Sequence, residues 1–318
     1  MRRLPLLLAL LAPLLHAQER YFTPAVADPA APNRVALDVR PGNGLQVVQA
    51  ELNGKPCRLL FDTGASHTTF DRAFLQREFP ELPLQPIALG GVTNVTSAPA
   101  AFPVKSLKLG QADLRDFIGM ALPLGHLSGS VGDRVDGILG MNAMAYAPFL
   151  LSVGDGEVLW NPPAERLEGF RALPLHDDPG DNSLSLVARH APDGKPFPML
   201  VDSGSSLTFA ESAFWPAQGE TFDFAASSVN AASAASVQRG EPGELRFGDL
   251  ALKASPLLDH PCGATLGADI LRILDLYFDA RRPARAILGR QRPNKAGVDA
   301  VAPEAGHDHQ RQDKNTEE

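Results

Sequence analysis

Two short strings constrain this chain more than anything else in it. They are Phe61-Asp62-Thr63-Gly64-Ala65-Ser66 and Val201-Asp202-Ser203-Gly204-Ser205-Ser206, 140 residues apart in a chain of 318. Each is an apolar strand running into Asp-Thr/Ser-Gly-x-Ser. The match extends upstream in register, with Gly54-Lys55-Pro56 before the first copy and Gly194-Lys195-Pro196 before the second. A carboxylate repeated on a repeated turn implies an internal duplication in which two Asp residues meet across an approximate two-fold axis. A lone Asp-Thr-Gly is an ordinary turn, in which Asp accepts backbone hydrogen bonds. Two copies at equal depth in two repeats are a far more specific signal.

With 44% hydrophobic and 21% charged residues, the chain can build one large core or two smaller ones. Met1-Arg2-Arg3, the apolar run Leu4 to Leu15 and the small Ala17 read as a secretory signal peptide over 1–17. That run is too short and too interrupted by proline for a good membrane span, and no cysteine follows it to carry a lipid anchor. Without 1–17, which hold two Arg and no acid, the formal net charge moves from −8 to −10. Such an acidic chain, lacking any basic stripe, is a poor match for nucleic acid or an anionic membrane. The expected location is therefore outside the cytoplasm, in a periplasm or secreted.

The rest divides into a linker or arm over 18–34, an N-terminal lobe over 35–165, a C-terminal lobe over 166–290 and a polar tail over 291–318 without apolar periodicity. Leu45 to Leu52, a turn at Asn53-Gly54 and Cys57 to Phe61 read as a hairpin delivering Asp62. Leu184 to Ala188, a turn at Asp193-Gly194 and Phe197 to Val201 deliver Asp202 in the same way. Gly90-Gly91 between short apolar runs suggests a further hairpin, and 227–236, rich in Ala, Ser and Asn, reads as a loop. Many short strands in two matching halves predict a mostly β protein of two lobes. Cys57 and Cys262 are the only cysteines; an exported protein can join them in a disulfide between the halves or keep two free thiols.

The chemistry follows from the duplication. Two carboxyls within about 3 Å cannot both ionise cheaply, so Asp62 and Asp202 would share one proton and titrate as a pair. One could then take a proton from water while the other gives one to a carbonyl oxygen. Gly64 and Gly204 allow close approach at the axis, Thr63 and Ser203 carry hydroxyls that can bond across it, and Ser66 and Ser206 can donate to the carboxylates. Ala65 offers no hydroxyl, so the pair should hold its proton into the mildly acidic range. Asp136 tempts as a third acid, but its repeat counterpart is Gly263, which points to a turn or capping role.

On these residues the chain resembles the pepsin-like, two-lobed aspartic peptidases, of bacterial type, within the wider group that includes retropepsins. The resemblance spans about residues 35–290. It rests on the two Asp-Thr/Ser-Gly loops and on the apolar-Gly segments Asp136-Gly137-Ile138-Leu139-Gly140 and Leu266-Gly267-Ala268-Asp269-Ile270-Leu271. It implies a pseudo-two-fold fold with an active-site cleft between the lobes, a catalytic Asp62/Asp202 pair using water, and no metal or other cofactor. It also implies an extended polypeptide substrate cut between mainly apolar residues by a monomer. None of Tyr21, Tyr146 and Tyr277 lies near Gly90-Gly91, so the flap expected there is glycine-rich and lacks the tyrosine of secreted pepsins. The alternative is a catalytically inactive, inhibitor-like relative that keeps the fold and holds a peptide by strand addition without cutting it.

Overall fold

A computed structural model describes residues 24–27, 32–87, 99–176, 184–227, 232–280 and 285–292. The expected signal peptide (1–17), the candidate flap at Gly90 and Gly91 and the tail beyond Arg292 lie outside the described residues.

The protein is mostly β, with two curled half-barrel sheets of ten strands and a third sheet of six. The first curled sheet runs Gln85–Pro86, Ala100–Val104, Phe117–Leu122, Thr69–Asp71, Gly137–Leu139, Lys55–Phe61, Gln46–Leu52, Leu107–Leu109, Ala112–Leu114. The second runs Ala217–Ser227, Ala232–Gly240, Leu257–Leu258, Phe209–Ala210, Thr265–Leu266, Phe197–Val201, Ser185–His190, Gly243–Phe247, Leu250–Ala254; the tenth strands, Asp38–Val39 and Leu175–His176, pair with Gln46–Leu52 and Ser185–His190 beside these rows. Position by position the two orders are the same, so the duplication read from two short strings extends to both whole sheets.

The six-stranded sheet draws on both repeats. Phe149–Ser152 pairs antiparallel with Leu274–Asp279 at its centre; Glu157–Trp160 and Asn33–Ala36 extend one side, Ala286–Gln291 and Arg171–Ala172 the other. The approximate two-fold axis passes between the central strands, where Phe149 and Phe278 stack at 4.8 Å. Phe61, the residue before Asp62, packs edge-on against Phe149 at 6.2 Å and Trp160 at 6.3 Å. Burial of these rings, each worth about 1.5–3 kcal/mol, anchors the strand that carries Asp62 on the sheet that joins the lobes. Two buried acids within this sheet are each met by two arginines. Glu157 meets Arg34 and Arg166, while Asp275 meets Arg290 at 2.7 Å and Arg292 at 2.9 Å.

The Asn53-Gly54 hairpin forms as expected. Leu52 faces Lys55 and both turn residues take positive φ, 45° and 85°, the two-residue turn that fits strand twist. The second copy opens wider, its last strand pair being Ala188 with Phe197. Two expectations need correction. Much of 227–236 is ladder rather than loop, because Ala232–Gly240 pairs with Ala217–Ser227 on one side and with Leu257–Leu258 on the other. The arm is not loosely packed throughout, since Ala25 is buried in the main core. Of the two states left open for the cysteines, the structure has the free thiols, Cys57 buried on its strand and Cys262 exposed. Burial pushes the Cys57 thiol up to about 12.

Candidate active site

Asp62 and Asp202 each end a central strand. Each strand runs parallel to a short strand of its own lobe, Gly137–Leu139 or Thr265–Leu266, that threads in behind it. The end of each threading strand holds the acid's backbone: Leu139 O accepts the Asp62 N–H and Leu266 O that of Asp202, both at 3.1 Å. The chain then turns at once, and the carboxylate accepts the next free amides. Asp62 Oδ1 takes N–H groups from Gly64 (2.9 Å) and Ala65 (3.0 Å). Asp202 Oδ1 takes them from Gly204 (2.8 Å) and Ser205 (3.1 Å).

These two turns face each other. The Asp62 and Asp202 side chains hydrogen-bond to one another. A Cβ on Gly64 would stand 2.5 Å from Asp202 Cγ, and one on Gly204 would press equally on Asp62 Cγ. Only glycine therefore fits at the axis, for reasons of space rather than backbone angle. Beneath the carboxyls the lobes interlock. Thr63 Oγ1 donates to Val201 O at 2.7 Å and accepts the Ser203 N–H at 3.0 Å. Ser203 Oγ donates to Phe61 O at 2.8 Å and accepts the Thr63 N–H at 3.1 Å. Both hydroxyl residues are fully buried.

The electrostatics follow from this packing. Both acids are half-buried. Burial first, then the charge of Asp202 and the hydrogen bond to it, hold Asp62 well above the usual carboxylate range against the two amides that favour its anion. Asp202 is raised by burial too, but the hydrogen bond from Asp62 and its own amides work in the other direction. The pair therefore binds one proton readily and shares it between the two carboxyls.

Of the supporting residues read from sequence, Thr63, Gly64, Ser203 and Gly204 meet at the axis. Ser66 is differently occupied: its Oγ lies 2.9 Å from His67 Nδ1. Ser206 takes part through its backbone, accepting the Asp269 N–H at 3.3 Å. The geometry also removes the basis for the argument from Ala65. Its counterpart Ser205 turns its hydroxyl to Leu207 O at 2.8 Å, away from Asp202, so a hydroxyl at this position is not a carboxylate donor. Asp136 is structural, as its repeat counterpart implied. It is buried, accepts the Arg58 N–H at 3.1 Å and pairs with Arg134 at 2.7 Å.

Two site residues were not read from the sequence. Asn142, fully buried, accepts the Thr68 N–H at 2.7 Å on Oδ1 and donates Nδ2 to Ile118 O at 2.9 Å. Its backbone N–H reaches Ser66 O at 3.0 Å. In the other lobe Asp269 takes the same place and accepts the Thr208 hydroxyl at 2.7 Å. Both lie three residues beyond the end of the threading strand, and aligning the two repeats through those strands would have paired them.

Residues 48–143 match the family model described as aspartyl protease. That stretch holds the Asp62 loop and its threading strand, and the match supports an aspartic peptidase family with peptidase activity. No curated protein matches the chain. The Asp202 loop lies beyond the matched residues; its equivalence to the first rests on the two-fold geometry described above.

Proposed function

We propose that the protein is an exported aspartic endopeptidase, with Asp62 and Asp202 as the catalytic pair and an extended polypeptide as substrate. The observation that carries the reading is the duplicated floor of the cleft: two carboxyls bonded to each other, each on two amides of its own turn. Met1 to Ala17 supports export, to a periplasm or beyond the cell. Both halves of the site come from one chain, which supports a working monomer.

In this reading the pair starts with one shared proton; when Asp62 carries it, Asp202 is ionised. Water gives a proton to Asp202 as its oxygen bonds the scissile carbonyl carbon, and the Asp62 proton passes to the carbonyl oxygen. The gem-diol then collapses. One of its hydroxyls returns a proton to Asp62, Asp202 protonates the leaving nitrogen, and the C–N bond breaks. The pair ends with the single proton it began with, ready for another cycle. Thr63 and Ser203 hold the carboxyls in register and touch no reacting atom.

Mature protein incubated with a peptide library from about pH 3 to pH 8 should give internal cuts, read by mass spectrometry. Asp62→Asn or Asp202→Asn should each lower kcat/KM by about 10²–10⁴-fold. Peptides retained but left whole by the wild type would replace the reading with a non-cleaving binder. Cleavage near wild type in either variant would move the chemistry elsewhere.

A further inference from the structure

We infer that residues 24–27, which precede the first strand, are a positioning element for the Asp62 loop, so that N-terminal trimming past Ala25 lowers turnover.

The arm is attached at three points. Val26 forms an antiparallel bridge with Arg115, its N–H reaching Arg115 O at 2.8 Å and its carbonyl accepting the Arg115 N–H at 2.9 Å. The Ala25 side chain is buried in the main core. The Ala25 N–H donates to Asn142 O at 2.8 Å. That last contact matters because Asn142 is the residue that holds both ends of the segment 66–68, through Ser66 O and the Thr68 N–H. A continuous chain of hydrogen bonds thus runs from Ala25 through Asn142 to the turn behind Asp62.

The other lobe shows what this contact replaces. Asp269 stands where Asn142 does, and its backbone carbonyl accepts Arg272 Nε at 3.1 Å. One lobe fills this carbonyl with a nearby side chain; the other fills it with backbone from the arm. Residues 24–27 belong to no strand, so they can be removed without cutting a sheet. Its loss would leave the Asn142 carbonyl and the Ala25 pocket unfilled and loosen one catalytic turn while the other stays fixed. Because catalytic geometry is sensitive to small displacements, the effect should fall on turnover more than on binding.

The effect on turnover rests on the peptidase reading; the effect on the loop does not. The experiment compares chains beginning at residue 24 and at residue 28, by peptide cleavage and by amide hydrogen exchange. The shorter chain should keep a cooperative melt and lose about tenfold in kcat with KM within about twofold. Exchange over residues 66–70 should quicken by about tenfold, while 206–210, the internal control, stays unchanged. Full-length Ala25→Pro, which removes the donor to Asn142, should reproduce the exchange contrast; Ala25→Gly, which keeps it, should not. If the chain from residue 28 fails to fold, Ala25→Pro decides by the same readout. Equal exchange over 66–70 in the two chains, or an equal rise over 206–210, would overturn the inference. If the chain from residue 24 cuts no peptide, the peptidase reading fails, and the exchange contrast still decides whether the arm positions the loop.

Discussion

The two lobes agree where the carboxyls sit and differ immediately behind them. Gly64 and Gly204 donate to their Asp at 2.9 and 2.8 Å, Ala65 and Ser205 at 3.0 and 3.1 Å. Yet 77 residues separate Asp62 from Leu139 in the first lobe, and only 64 separate Asp202 from Leu266 in the second. The shell beyond is different again. Ala65 faces Ser205 across the repeat, His67 faces Leu207, Asn142 faces Asp269, and the Ala25 amide does the work of the Arg272 side chain. What the shared proton requires has been kept twice, and the means of support behind each turn have drifted apart. A neutral amide buttresses one turn and a half-buried acid the other, so the lobes should respond differently to pH.

The largest effects should come from what the lobes share. Thr63→Ala removes an oxygen that both donates and accepts across the axis, leaving Val201 O and the Ser203 N–H unsatisfied in a dry interior. The expected cost is about 2–4 kcal/mol in denaturant unfolding, with Ser203→Ala costing the same within about 1 kcal/mol. Thr63→Ser, which keeps the oxygen, should cost much less. A large difference between the two alanine variants would mean that the interlock is not two-fold in energy.

The buttresses come next. Burial raises the Asp269 carboxyl, against the Thr208 and Ile270 hydrogen bonds and the charge of Arg272. The folded state therefore binds this proton more tightly than the unfolded chain does. Stability from this group is greatest below the ordinary Asp pKa and falls as pH rises through the interval up to the folded value. Asp269→Asn should raise Tm near neutral pH, with the gain vanishing below about pH 4. Asn142→Asp should do the reverse, costing about 1–3 kcal/mol at neutral pH, because a carboxylate would face Ile118 O where an amide now donates. Thermal melts across pH check both, and a pH-independent shift for Asp269→Asn would sink this account of the second lobe.

The smallest effect should come from Ser205→Ala. Its hydroxyl donates to Leu207 O, so the change should cost about 0.5–1.5 kcal/mol and leave the pH profile of cleavage where it was. A displaced upper limb would show that this hydroxyl does reach Asp202 during turnover.

The catalytic floor was legible because each half is local. Asp, hydroxyl residue and Gly occupy three consecutive positions, and the only long-range step was to pair two copies. The crossing of Thr63 and Ser203 could be anticipated, but not their acceptors, Val201 O and Phe61 O, which are backbone groups with no sequence signature. Asn142 and Asp269 were hidden inside short helical starts, Met141–Met144 and Ala268–Leu271, where a polar residue reads as surface; Asn142 is in fact buried and Asp269 half-buried. The strand Ala232–Gly240 was missed because Ala and Ser carry little β-propensity; its ladder partners on both sides make it a strand. Ala25 was missed because proline and alanine without periodicity look the same whether a segment docks or not.

The central claim is that Asp62 and Asp202 act as one proton-sharing unit. The most direct measurement is a double-mutant cycle on peptide cleavage, with Asp62→Asn, Asp202→Asn and the two combined, at the pH of maximal activity. Residues that work as a unit are strongly non-additive, so the double variant should be no slower than either single variant, within about threefold. Single losses that multiply in the double variant would show two carboxyls acting independently and would contradict the account.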